Sequence, residues 1–279
     1  MEQKPYGWWL PINASANNGG IDQLINLVHI FMAVLFVGWG IYLVYVLVRF
    51  RARPGHKAYA VHKHFRLPTW LEIGVAIIEV VLLVFLSSPI WFRVKKDFPP
   101  EKDSVLVRVV AEQFAWNIHY PGKDGKFGRT RPELVTGTNP IGLDRDDPDG
   151  KDDITTVNIL HVPTGKPVIV YLSSKDVIHS FSLPVLRVKQ DAIPGMMIPI
   201  WFEAAKTGQE FQIACAQLCG LSHYRMSGQL MIDTPEQYAT WMAEQEKELA
   251  QENAGSDQTA VPADTNSPAG NTSNEGSPK

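Results

Sequence analysis

The residues best suited to chemistry lie between Cys215 and Met226, where two thiols, an imidazole and a thioether follow the pattern Cys-x3-Cys-x3-His-x2-Met. Thiolate, thioether and imidazole together form a ligand set typical of copper. Zinc more often takes four Cys or His ligands and does not select methionine. A single blue-copper site needs only one cysteine, so the second cysteine predicts two copper ions that share two thiolates.

Such a centre needs a second histidine from elsewhere in the fold. His179, in the segment Asp-Val-Ile-His-Ser-Phe, is the best candidate because it lies at the end of a predicted strand. A simple disulfide between Cys215 and Cys219 is the alternative, since an outside compartment is oxidising. A disulfide alone would not explain why His223 and Met226 follow at these offsets. The remaining histidines are assigned structural or surface roles: His29, His56, His62, His64, His119 and His161.

The elements that must position these ligands are β-strands. After Pro99 the apolar residues alternate with polar ones, and Pro-Gly and Gly-x-Pro turns separate the runs, which predicts an all-β sandwich or barrel over residues 99–250. A helix is predicted to begin at Thr234, with Thr as its N-cap and Pro at its first position. The tail 251–279 is rich in Ala, Gly, Ser, Asn and Pro and is predicted to be disordered.

Residues 121–153 are rich in Gly, Pro and Asp and are interpreted as a long surface insertion in this domain. A solvated acidic loop is the simpler interpretation of its aspartates, and a surface that steers a basic partner protein is the alternative. These residues are Asp144, Asp146, Asp147, Asp149, Asp152 and Asp153.

Two apolar segments precede the β-domain, at about residues 24–48 and 71–92, and each is long enough to cross a bilayer as a helix. They predict a transmembrane hairpin over residues 21–98, after an outside segment at 1–20. The connecting loop is rich in Arg and Lys, so the positive-inside rule places it in the cytoplasm and both termini outside. Glu79 falls inside the second span, where it is either part of a proton path or a neutral acid bonded to a neighbouring helix.

Composition narrows the class of protein further. The net charge of -3 gives no indication of a nucleic-acid partner, and two cysteines do not make a disulfide-rich scaffold.

Over about residues 20–250 the chain resembles subunit II of haem-copper oxidases of the cytochrome c oxidase type. The metal motif of that family is Cys-x-Glu-x-Cys-Gly-x-x-His-x-x-Met, with a distant Asp-Val-x-His. Both occur here, except that Gln217 replaces the glutamate. The segment from Lys189 to Gly195 also resembles the family's Lys-x-Asp-Ala-x-Pro-Gly.

The resemblance implies a two-helix anchor, an outside cupredoxin domain and a binuclear copper A centre. It implies that the two cysteines bridge both coppers, that each of two histidines caps one copper, and that a methionine and a backbone carbonyl complete the site. Asp176 would orient one histidine, by analogy with other metal-bound histidines. The implied ligands are Cys215, Cys219, His179, His223, Met226 and the carbonyl of Gln217.

The same resemblance implies the electron-entry subunit of a respiratory oxidase. Copper A would accept electrons from a cytochrome c-type donor and pass them to haem in subunit I, where oxygen is reduced to water and protons are translocated. Subunit I and other oxidase subunits would be its partners. The chain would lie in a bacterial inner membrane with its copper domain in the periplasm.

Two of the departures from the family pattern concern the metal site and the electron-entry site. The family glutamate at position 217 also binds magnesium at the junction with subunit I, and a neutral amide is a poorer ligand for that ion, so magnesium is left open. The family sequence Gln-Trp-x-Trp is Gln113-Phe-Ala-Trp116 here. Phe114 and Trp116 are therefore the candidates for electron entry, although Phe114 lacks an indole.

Three rival functions have to be considered. A quinol-oxidising relative would have lost the copper ligands, which are all present here. A copper-bearing subunit of a membrane nitric oxide reductase and a membrane-tethered copper-binding or assembly protein are the alternatives.

Overall fold

The computed structural model describes residues 10–55 and 66–257. Its first apolar segment is helix α1 (Gly19–Arg49), and its second runs through helix α2 (Leu67–Val81), a π-helical stretch and helix α3 (Ser88–Lys96). These helices, of 31 and 30 residues, are long and apolar enough to cross a membrane, and neither is buried within the chain. The predicted helical hairpin is thus confirmed as two long apolar helices, each extending beyond its predicted span. His56, His62 and His64 lie outside the described residues.

The π-helical stretch Leu82–Ser87 has a local cause. Pro89 has no backbone N–H, and its ring crowds the preceding turn of helix. The backbone N–H of Ser88 instead reaches the carbonyl of Leu83, five residues back, and its hydroxyl donates to the same oxygen at 3.1 Å. The second apolar helix therefore accommodates Pro89 by widening the preceding turn to a π-helical one.

The strands that the structure describes form a sandwich of two mixed sheets, as predicted. One sheet consists of Val105–Glu112 (β1), Ala115–Tyr120 (β2), Ile154–Val157 (β3), Pro167–Ser174 (β5) and Ile198–Glu203 (β8), in the order β3-β2-β1-β5-β8. The other consists of Ile159–Pro163 (β4), His179–Leu183 (β6), Val188–Ala192 (β7), Gly208–Cys215 (β9) and Ser227–Asp233 (β10), in the order β4-β10-β9-β6-β7.

Apolar side chains from both sheets form the core between them. Along β1 the alternating residues Val107, Val109 and Ala111 are fully buried, as the period of two requires. Trp116 and Phe181 meet edge to face in the same core, with ring centroids 5.3 Å apart. Each large apolar side chain buried in this way contributes about 1.5–3 kcal/mol to stability.

The segment 121–153 is largely exposed, as expected, but two of its aspartates, Asp144 and Asp153, are buried. Asp153 is fully buried and accepts hydrogen bonds from His119 Nε2 at 2.5 Å and from the backbone N–H groups of Gly122 and Gly128. Asp144 is also buried and lies 3.1 Å from the guanidinium groups of both Arg129 and Arg131. The Gly and Asp content of the segment did not reveal these contacts, because composition does not show which side chains are buried.

His119 has the structural role assigned to it, and burial lowers its pKa although Asp153 beside it acts in the opposite direction. His161 is structural as well. Its ring stacks on Trp241 at 4.2 Å, and its Nδ1 lies 2.7 Å from Asp233.

Trp241 belongs to helix α4 (Pro235–Asp257), which begins where predicted. The Thr234 hydroxyl accepts from the backbone N–H of Gln237, whose side chain accepts in return from the Thr234 N–H. The helix continues to Asp257, so the domain boundary predicted at residue 250 was placed too early. Residues 258–279 of the predicted tail lie outside the described residues.

Residues 10–18 lie against the β-domain ahead of α1. Ala14 is fully buried, and its backbone N–H donates to the carbonyl of Val185 at 2.8 Å. Ser15 forms a β-bridge with Ala204. The segment predicted to precede the first span is therefore in part a component of the folded domain.

The buried Asp153 carboxylate gives a first testable prediction. Asp153→Ala leaves His119 and two backbone N–H groups without their acceptor, so we expect the free energy of unfolding to fall by about 3 kcal/mol. Denaturant unfolding of the full chain in detergent measures this change. Asp149→Ala is the matched control, because its ion pair with Lys126 spans 3.8 Å at the surface and is worth under about 1 kcal/mol. Equal losses in the two variants would contradict the structural role of Asp153.

Candidate metal centre

Backbone pairing brings the distant histidine to the cysteines. His179 is the first residue of β6 and Cys215 is the last residue of β9, and these neighbouring strands pair with Phe181 opposite Cys215. From Cys215 the chain turns through residues 216–226 and returns as β10, which pairs with β9 from Ser227 opposite Ala214. Cys219, His223 and Met226 all lie on this return loop, so one corner of the sandwich carries every predicted side-chain ligand.

The ligand atoms converge at that corner. The sulfur atoms of Cys215 and Cys219 are 3.8 Å apart, and the nearest imidazole nitrogens are those of His179, 3.9 Å from Cys215 Sγ, and His223, 3.5 Å from Cys219 Sγ. Met226 Sδ lies 3.7 Å from Cys219 Sγ and 3.1 Å from His179 Nδ1. The Gln217 carbonyl lies 3.2 Å from Cys215 Sγ.

These separations fit a metal site better than a disulfide. A disulfide bond would bring the sulfurs to about 2.05 Å, and both cysteines are free. Two ligand atoms that each bind one ion at about 2.0–2.3 Å lie roughly 3–4 Å apart, which matches the spacing seen here. The two imidazoles approach the sulfur pair separately, His179 beside Cys215 and His223 beside Cys219.

Burial differs between the ligands and affects their protonation. His179, Cys219 and Met226 are buried, whereas Cys215 and His223 are partly exposed. Burial and, to a lesser extent, the neighbouring Cys215 together raise the pKa of the Cys219 thiol to about 11. A metal ion that binds these sulfurs must therefore displace their protons.

Asp176 lies where it can orient His179. Its Oδ1 accepts from His179 Nε2 at 2.8 Å, which leaves Nδ1 with its lone pair directed at the sulfur atoms. Its carboxylate also accepts from the backbone N–H groups of Gln113 at 2.7 Å and Val177 at 2.6 Å. Burial acts to raise the pKa of Asp176, but these hydrogen bonds outweigh it and hold the pKa below its ordinary value.

Gln113 supports the site, and sequence reasoning did not single it out. Its side-chain amide donates to the carbonyl of Cys219 at 2.6 Å, while its backbone N–H binds Asp176. It thus connects the β1–β2 turn to both ligand-bearing segments. Gly220 permits this approach, because a Cβ there would lie 2.7 Å from Gln113 Nε2 and the backbone φ is +141°. The one available signal was its position beside the aromatic pair.

The two aromatic candidates occupy different positions. Trp116 is fully buried and meets His179 edge-on, with ring centroids 6.2 Å apart. Phe114 is half-buried and packs against the turn at Gly220, where its Cζ lies 3.1 Å from the place a Cβ would occupy. Trp116 therefore contacts a ligand directly, whereas Phe114 contacts the loop that carries the other ligands.

Comparison with known proteins shows the family of the chain that carries this site. A family model described as cytochrome C oxidase subunit II, periplasmic domain, matches residues 106–232. The alternative cytochrome c oxidase subunit 2 of Bradyrhizobium diazoefficiens is 34% identical over 244 residues, which cover 87% of this chain and 85% of the relative. This chain belongs to the cytochrome c oxidase subunit II family.

A second relative and a solved structure are also similar to this chain. Cytochrome c oxidase subunit 2 of Cereibacter sphaeroides is 29% identical over 255 residues, covering 86% of this chain and 80% of the relative. A solved structure of the periplasmic domain of subunit II of cytochrome oxidase from Bradyrhizobium japonicum is 30% identical. It covers 54% of this chain and 98% of that domain, with a TM-score of 0.40.

Membership in the subunit II family confirms the resemblance and the cupredoxin-like fold that it implied. The chain is a membrane-anchored subunit of the cytochrome c oxidase type and so belongs to an oxidoreductase complex. The family binds copper, and within the described residues His179, Cys215 and Cys219 form the cluster suited to a metal ion.

The hydrogen bond between Asp176 and His179 gives a second prediction. Asp176→Asn weakens the acceptor that fixes His179 and faces the Gln113 N–H with an amide, so we expect copper affinity to fall by about 10–100-fold. Competition with a copper chelator on the full chain measures this affinity. Asp124→Asn, which removes a charge from a surface turn, is the control and should leave it unchanged. Equal affinity in the Asp176 variant and the wild type would exclude the orienting role.

Proposed function

We propose that this subunit receives electrons from a c-type cytochrome at a binuclear copper A centre and passes them to haem in subunit I, where oxygen is reduced to water with proton translocation. The observation that carries the proposal is the convergence of two thiols, two imidazoles, a thioether and one backbone carbonyl at a single corner of the sandwich. No single-copper site needs so many ligands.

The ligands sort into two groups around the shared cysteines. His179 and Met226 are adjacent to each other and would hold one ion, while His223 and the Gln217 carbonyl would hold the other. Cys215 and Cys219 would serve both as bridging thiolates. The bound copper pair supplies a one-electron redox site, and the protein supplies its geometry.

The backbone holds that geometry closely. The return loop is tied by hydrogen bonds from Ala216 N to Ser180 O at 2.9 Å, from Met226 N to His223 O at 3.1 Å and from His223 N to Gly220 O at 3.1 Å. Ligands fixed in this way move little when the charge of the site changes, which favours fast electron transfer. The buried ligands also argue against an assembly protein, which has to release its copper.

For electron entry we propose Phe114, which packs against the ligand loop at Gly220, and Trp116, whose ring meets His179 edge-on. Three large side chains of the ligand loop project into solvent, with Leu218 at 77%, Leu221 at 98% and Tyr224 at 81% exposure. Exposed apolar residues concentrated on one loop are typical of a protein contact surface.

The aspartates of segment 121–153 contribute less to donor binding than their number suggests. Asp144 and Asp153 are buried and paired, and Asp147 accepts from the backbone N–H of Arg129. We therefore base donor docking on the apolar loop rather than on electrostatic steering by this segment.

We propose that the domain faces the periplasm of a bacterial inner membrane. The connection between the two membrane helices is flanked by Arg49, Arg51, Arg53 and Arg66, and the positive-inside rule places these arginines in the cytoplasm. The β-domain follows the opposite end of the second helix and would therefore lie outside. Glu79 remains a candidate for a proton path, since its side chain is exposed on α2 for a partner subunit to meet. Gln217 offers magnesium only a neutral amide.

A third prediction tests the copper centre itself. Full-length protein loaded with copper in detergent should hold two copper ions per chain and give a mixed-valence electron paramagnetic resonance signal with coupling to two copper nuclei. Cys219→Ser should abolish that signal because a bridging thiolate is lost. Met226→Leu should retain both ions but alter the spectrum, and Met196→Leu, at an exposed methionine, should alter nothing. One ion per chain in the wild type would overturn the proposed function.

A further inference from the structure

We propose that Arg187 is a positioning residue that fixes the β-domain on the membrane helices and so sets where the copper centre stands relative to the haem-bearing subunit. The proposal rests on the proposed function for its consequence, although the contacts that support it involve no metal.

The guanidinium group of Arg187 uses all of its donors on protein acceptors. Nε and Nη2 bind the two carboxylate oxygens of Asp22, at 2.6 and 3.1 Å. Nη2 also donates to the carbonyl of Pro11 at 2.7 Å, and Nη1 donates to the carbonyls of Pro184 at 2.6 Å and Ile12 at 3.5 Å. The side chain is only 8% exposed. A planar fork of five N–H groups can satisfy this set, whereas the three N–H groups of a lysine cannot.

Its backbone shows that the side chain is needed at this position. Arg187 adopts φ +57° and ψ +33°, the left-handed region in which glycine is favoured and other residues are strained. A long side chain held there against strain indicates that its contacts stabilise the arrangement. Because protein acceptors occupy every donor, the site has no remaining capacity to bind a free anion.

The contacts of Arg187 join three parts of the chain. Asp22 lies in the first turn of α1, where it also accepts from the side-chain amide of Asn13 at 2.9 Å. Asn18, directly before α1, is buried and donates to the carbonyl of Leu186 at 3.0 Å. The start of the first membrane helix is therefore bound to the loop that precedes β7.

Strand β7 also contacts the second membrane helix. Lys95, at the end of α3, donates a hydrogen bond to the side chain of Gln190 on β7. At the far end of this strand Ala192 pairs with the metal-site residue His179 on β6. The β6–β7 hairpin and the loop within it thus contact both membrane helices and carry one ligand of the metal centre, so they connect the anchor to that centre.

The test compares Arg187→Gly and Arg187→Lys with wild type and with Lys166→Ala, a substitution on an exposed turn. Glycine relieves the left-handed backbone strain, so it keeps the local turn while removing the hydrogen bonds of the guanidinium group. In full-length protein in detergent, hydrogen exchange of residues 11–22 should become at least about tenfold faster in both Arg187 variants and remain unchanged in Lys166→Ala. The copper spectrum should be the same in all four proteins.

In the assembled oxidase, the rate of electron transfer from the copper centre to haem, measured after flash-induced reduction, should fall in both Arg187 variants. Unchanged hydrogen exchange in residues 11–22 would overturn the proposed positioning role of Arg187. A slower electron transfer accompanied by loss of copper or an altered copper spectrum would also overturn it, because the effect would then lie in the ligands. Failure of the wild type itself to show a two-copper signal would instead contradict the proposed function.

Discussion

The antiparallel pairing of β6 with β9 is the constraint on which the site depends. It places His179, at the start of one strand, beside Cys215, at the end of the other. The β9–β10 pairing then returns the loop so that Cys219, His223 and Met226 face the same point. A slip of one residue in either pairing would turn its ligands to the opposite face of the sheet, and the core contacts of Trp116 and Phe181 oppose such a slip.

The ligands that are close in sequence could be predicted, because their spacing within one loop is itself the signal. His179 could be named as the distant partner, but its distance from the thiols could not, since that depends on the register of two strands. Gln113 shows the limit more clearly. Its two hydrogen bonds reach residues 63 and 106 positions away, and no local pattern announces such contacts.

The fold, like the site, could be predicted where it depends on neighbouring residues and could not be predicted where it depends on distant contacts. Alternating apolar residues and helix-capping signals gave the sandwich, the two long helices and the start of α4, because those features are set by neighbouring residues. The buried Asp153 was assigned to a solvated loop because composition shows charge but not burial. The role of Arg187 could not be predicted either, since it depends on a backbone angle and on acceptors in residues more than 160 positions earlier.

The central claim is that both thiolates are shared by two copper ions, and X-ray absorption at the copper edge tests it most directly. Full-length protein loaded with copper should show scattering from a second copper at short range, together with two sulfur neighbours for each copper. Spectra with no copper neighbour, or with a single sulfur for each ion, would contradict the account.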